Sequence, residues 1–93
     1  MPRQPHTHQS HPKIVTRLKR AEGHLRLIIR MMEEGQSCVD LAQQLQAVEN
    51  AIDNAKKALI HDHIDGCLEE AIRTPGAARK AAFKEFRAIT KYL

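Results

Sequence analysis

Residues 38–72 read CVDLAQQLQAVENAIDNAKKALIHDHIDGCLEEAI, with apolar side chains at Leu41, Leu45, Val48, Ile52, Ala55 and Leu59. These steps alternate between four and three, the spacing of one face of an α-helix. Gly66 interrupts the run, but a lone interior glycine costs only about 1 kcal/mol relative to alanine. The spacing therefore predicts one long helix over about 38–72. Upstream, Ile14, Leu18, Ala21, Leu25, Ile28 and Met32 repeat the rhythm from Pro12, a favourable first helical residue, and predict a helix over 12–34. Between the two, Gly35 can supply a left-handed cap, and Ser37 can accept the amide hydrogen bonds that start the next helix. Downstream, Thr74-Pro75-Gly76 is a firm stop. Ala82, Phe86, Ile89 and Leu93 then mark the apolar side of a third helix over about 77–92. The fold predicted is all-α, a three-helix protomer.

The chain has 93 residues, 42% of them hydrophobic, yet no Trp, one Tyr and two Phe. Its core must come from Leu, Ile, Val, Ala and Met, a composition that suits helices better than sheets. One domain over residues 12–93 is expected, preceded by a flexible arm over 1–11 that is marked by Pro2, Pro5 and the following Pro12, with His6, His8 and His11 between them. So short a chain buries a limited share of its surface when alone, and self-association as an antiparallel helical-bundle dimer is the natural remedy. Ala47, Ala51 and Ala55 would permit close helix approach near its two-fold axis. No apolar run approaches a membrane span and no hydrophobic leader is visible, so a cytoplasmic protein with no membrane partner is expected.

The charge is segregated. Residues 1–34 hold seven Lys/Arg against three acids, 35–70 two against seven, and 71–93 six against one. Basic blocks of this kind suit a polyanion, with solvated helix faces as the plain alternative. On helix 1, Lys13, Arg17, Arg20 and His24 follow one stripe.

Cys38, His63 and Cys67 carry the chemistry. His63 and Cys67 stand at i and i+4, on one helix face. Cys38 precedes His63 by 25 residues, roughly 38 Å along a continuous helix, too far to share an ion within one chain. An antiparallel second copy would bring its own Cys38 to the His63/Cys67 end. Two thiolates and an imidazole favour copper(I), suit nickel(II) or zinc with a fourth donor, and disfavour magnesium and calcium. The plain alternative is a small buried cysteine and a surface histidine. Nothing near Cys38 resembles a nucleophile elbow, so no enzyme is expected. His61 lies two positions from His63 and points elsewhere.

RLKRAEGH at 17–24, LAQQLQAV at 41–48, HDHIDGC at 61–67 and the Cys38/His63/Cys67 spacing together resemble the copper-sensitive operon repressor (CsoR) family, which also includes nickel/cobalt, formaldehyde and persulfide sensors. The resemblance covers about residues 11–93. It implies an antiparallel dimer core, a dimer-of-dimers homotetramer, and binding of double-stranded operator DNA without a helix-turn-helix. It also implies that Cys38 of one protomer joins His63 and Cys67 of its partner, as in copper(I) sensors. Nickel and cobalt sensors add an amino-terminal histidine, and His6 stands at about the matching distance. Arg17, Lys19 and Arg20 are the DNA contacts implied, with Lys13, Lys56 and Lys57 as extensions. The sequence departs from copper sensors where Ser37 replaces a tyrosine and Phe83 a helix 3 glutamate, with Glu85 nearby. The function expected is repression by the metal-free protein and release on binding copper(I). Nickel(II)/cobalt(II) sensing, persulfide sensing, and a cytosolic metal buffer or chaperone are the alternatives.

Overall fold

The computed structural model describes residues 11–93, and the described elements are three helices. They are α1 (His11–Glu33), α2 (Cys38–Arg73) and α3 (Ala77–Thr90). His11, expected in the arm, is the first residue of α1. His6 and the rest of the arm lie outside the described residues.

The helix ends follow from particular residues. Gly35 takes φ 79°, and its amide bonds to the Met32 carbonyl at 3.2 Å while the Gln36 amide reaches Met31 at 3.0 Å. This paired pattern is a Schellman cap, and its left-handed residue is the one that glycine adopts without steric cost. Ser37 Oγ then accepts the Asp40 amide at 3.2 Å and starts α2. Gly66 leaves α2 unbroken. At the far end Gly76 (φ 73°) precedes α3, and Arg79 Nε donates to the Ala71 carbonyl at 2.8 Å, satisfying one of the orphan acceptors at the α2 terminus. Helix 3 stops at Thr90, two residues before the predicted end, in a turn that carries exposed Tyr92 and Leu93.

Two compact units divide within α2, one formed by Pro12–Lys56 and the other containing Lys57–Leu93. In the first, α1 and the start of α2 pack as an antiparallel hairpin. Ile28, Leu41 and Val48 form its core cluster with Met31 against them, and Ile14, Ala21 and Ala55 are also buried. The expected apolar faces are only half used here. On α1, Ile14, Ala21 and Ile28 are buried whereas Leu18, Leu25 and Met32 are 44%, 42% and 56% exposed. On α2, Leu41, Val48 and Ala55 are buried whereas Leu45 and Ile52 are 42% and 48% exposed. A two-helix hairpin can cover one seam of each helix and leaves the other bare. In the second unit Ile60, Cys67, Ala71 and Ala82 are buried, and Phe86 and Ile89 are half-buried.

Candidate metal centre

His63 and Cys67 sit one turn apart on α2, and α3 lays Glu85 against both. Cys67 Sγ donates to Glu85 Oε2 at 3.9 Å, and His63 Nε2 lies 3.8 Å from the same oxygen. One ligand atom from each of the three residues falls within 4.8 Å of the other two. Cys67 is buried, His63 half-buried and Glu85 exposed, so the group has a closed floor and an open side. On that side a shallow cavity of about 210 Å³ is lined by His63, Glu85, Ala88, Ile89 and Tyr92. There is room for a further donor.

Electrostatics hold the thiol neutral. Burial pushes the Cys67 pKa above the usual 9.0, and the Glu85 charge, the hydrogen bond to Glu85 and the Glu70 charge all push the same way. Ligation requires the thiolate, so any metal taken up here must displace that proton. A buried sulfur, a half-buried imidazole and one carboxylate fit a thiophilic transition ion.

The other expected site residues are distributed as follows. Cys38 is the first residue of α2 and is exposed, in the Pro12–Lys56 unit. Lys13, Arg17, Lys19 and Arg20 are all exposed on α1. Lys56 is exposed and within 3.6 Å of Asp53, and Lys57 is exposed beside it. His61 is exposed, as its position two residues from His63 suggests. His24 departs from the α1 basic stripe: it is half-buried, and its Nε2 hydrogen-bonds to Gln44 across the hairpin. Its helical phase is that of the basic stripe, and the hydrogen bond to Gln44 is what takes it up.

Glu85 is the site residue that the sequence pattern did not single out. Phe83 stands at the expected glutamate position and is 41% exposed. Two signals pointed to it: Glu85 is the lone acid among the six basic residues of 71–93, and it stands two positions from the helix 3 site where the resemblance implies a glutamate.

The profile of the metal-sensitive transcriptional repressor family matches residues 10–91. Similar proteins include the copper-sensing transcriptional repressor CsoR of Mycobacterium ulcerans (strain Agy99), 41% identical over 58 residues, 62% of this chain and 50% of that protein. CsoR of Bacillus subtilis (strain 168) is 40% identical over 62 residues, 67% of this chain and 61% of that protein. The matched stretch thus spans about half the length of the mycobacterial relatives. Among solved structures, the nickel-responsive transcriptional regulator InrS superposes with a TM-score of 0.79 at 27% identity, covering 97% of this chain and 100% of that one.

Proposed function

Since the chain belongs to the metal-sensitive transcriptional repressor family, we propose that it represses transcription by holding operator DNA when metal-free and lets go when His63 and Cys67 ligate a transition metal together with Cys38 of a second copy. The observation that carries this reading is the convergence of buried Cys67, half-buried His63 and Glu85 on an open-sided site, with Cys38 exposed and outside that group. The site lacks a second sulfur within its own unit, and a second copy has one to give.

Self-association is supported by the bare seam of Leu18, Leu25, Leu45 and Ile52, a repeating apolar surface on two adjacent helices. Homodimers joined there, and a tetramer of two such dimers, are the assembly proposed. The exposed Arg17, Lys19 and Arg20, with Lys13, supply the phosphate contacts on α1.

The switch resides in the chain's own groups. The Cys67 thiol donates to Glu85 and ties α2 to α3. A bound ion would supply a tether between copies and require the thiolate. Loss of the Cys67 proton on ligation would leave the hydrogen bond to Glu85 without its donor. Only such a difference between states can change DNA affinity, and a coupling of about 1–3 kcal/mol corresponds to roughly 5–150-fold.

Copper(I) is the favoured inducer, because two thiolates and one imidazole complete a low-coordinate soft site. A second reading, nickel(II) or cobalt(II), draws on Glu85: its carboxylate lies within ligand reach and is a donor that copper(I) does not need. His6 is the other candidate donor for that reading. Anaerobic titration with copper(I), nickel(II), cobalt(II) and zinc(II) against a fragment from upstream of the protein's own coding sequence tests both. Release by copper(I) that persists after deletion of residues 1–10 supports the first reading. Release by nickel(II) alone, abolished by that deletion or by Glu85→Gln, supports the second. A protein that binds metal and no DNA is a buffer or chaperone.

A further inference from the structure

Helix α3 carries a row of cations that the α1 DNA surface and the metal site leave unused. Lys80, Lys84, Arg87 and Lys91 follow steps of four, three and four, so at 3.6 residues per turn they share one narrow stripe. All four are exposed, and Lys91, the cap residue, keeps helical angles (φ −60°, ψ −22°), so the stripe runs to the helix end. The opposite side of α3 is the packed one, with Ala82 buried and Phe86 and Ile89 half-buried. Glu85 leans to that side, toward His63 and Cys67, and so does not neutralise the stripe. Arg79 is the basic residue of α3 taken up structurally, by the Ala71 carbonyl. Among the described residues, none of the four stripe cations is held in an ion pair.

We propose that this face of α3 is a second DNA-contacting surface, binding the phosphate backbone of the duplex independently of the α1 cations. Charge complementarity selects the partner. Four cations spread over about 16 Å of helix match the phosphate line of a duplex, which carries one negative charge per about 1.7 Å of axis. Three of the four are lysines, compact point charges suited to phosphate rather than to bidentate reading of bases. One aromatic, Phe83, 41% exposed, borders the stripe between Lys80 and Arg87, and a lone ring offers no platform for successive single-stranded bases. The contact therefore adds affinity without sequence preference. α3 thus carries the sensor carboxylate on one side and DNA-facing cations on the other, so a change at Glu85 acts on a helix that touches DNA.

The proposal rests on the repressor reading, and its test separates the two. Binding of the full chain to the upstream fragment, and to a random-sequence duplex of equal length, is measured over a range of salt concentrations. The variants are Lys80→Gln/Lys84→Gln/Arg87→Gln/Lys91→Gln and Lys80→Arg/Lys84→Arg/Lys91→Arg. Glutamine is a good helix former, and far-ultraviolet circular dichroism with metal titration verifies that the fold and site are kept. The glutamine variant is expected to bind both duplexes more weakly, with the slope of log K against log salt shallower by roughly 0.9 for each phosphate no longer neutralised, whereas the arginine variant keeps the wild-type slope. Unchanged affinity and slope in a folded glutamine variant, while Arg17→Ala/Arg20→Ala weakens binding, would overturn the α3 surface and leave the repressor reading intact. Failure of the wild-type chain to bind the upstream fragment would overturn both. A loss confined to the upstream fragment would also overturn the proposal, because a backbone contact acts on any sequence.

Discussion

At Cys67 the chemistry of the site reduces to one proton shared between a buried thiol and Glu85 Oε2. Burial and two carboxylates all raise the thiol pKa, so the folded chain holds this proton more tightly than the unfolded chain does. The group's contribution to stability is therefore full below the usual thiol value of 9.0 and is lost as pH rises through the elevated folded value. Glu85→Gln removes the carboxylate charge and should lower the Cys67 pKa, with roughly tenfold more thiolate at neutral pH for each unit of fall, about 1.4 kcal/mol. Alkylation of Cys67 in Cys38→Ala protein, followed by mass spectrometry across pH, measures this. A pH–rate curve that does not move would mean that burial and the Glu70 charge, not Glu85, set the pKa. The His63/Cys67 pair was legible in the sequence because i and i+4 neighbours are fixed by the helix itself. Glu85 was not, since it reaches Cys67 across 18 residues and two helices, a contact that only the packing of α3 on α2 determines.

Helix identity and helix ends were legible for the same local reason. Gly35 and Ser37 name the α1–α2 turn, and both act there as their chemistry requires. The partition of each apolar face was not legible. A heptad pattern such as Leu41, Leu45, Val48, Ile52, Ala55 contains two interleaved apolar seams, and periodicity does not say which one faces the partner helix in the same chain. The structure assigns Leu41, Val48 and Ala55 to the interior and leaves Leu45 and Ile52 bare. The two seams should respond differently to substitution. Val48→Ala, which empties space in the core cluster, should destabilise the protein by about 1–3 kcal/mol in denaturant melts, less than the cost typical of Leu or Ile truncation to alanine. Ile52→Lys introduces a charge on the bare seam and should leave helix content unchanged while lowering the mass measured by light scattering. An Ile52→Lys protein that keeps the wild-type mass would place the self-association surface elsewhere.

At the scale of the whole molecule, the decisive fact is that α2 carries Cys38 at its first residue and the His63/Cys67 pair near its last turns without a break. The 25 residues of sequence between Cys38 and His63, at about 1.5 Å per residue of an ideal helix, are the ground for expecting the third donor from another copy. A site that draws all three donors from two chains is the arrangement we propose. Mixing Cys38→Ala protomers with His63→Ala/Cys67→Ala protomers provides the test. Either variant alone lacks a complete site in every copy. An antiparallel heterodimer joins Cys38 from the second variant to His63 and Cys67 from the first, giving one intact site per heterodimer, while its other site has none of the three donors. Tight copper(I) binding should thus be absent from each parent, and the mixture should recover binding in proportion to the heterodimer formed, at most half the wild-type stoichiometry. The readout is the thiolate-to-metal absorption of the mixed sample, compared with its parents under a competing chelator. No recovery in a mixture verified to contain heterodimer would exclude the shared site, and the three remaining groups of one chain, His63, Cys67 and Glu85, would then have to hold the ion without Cys38.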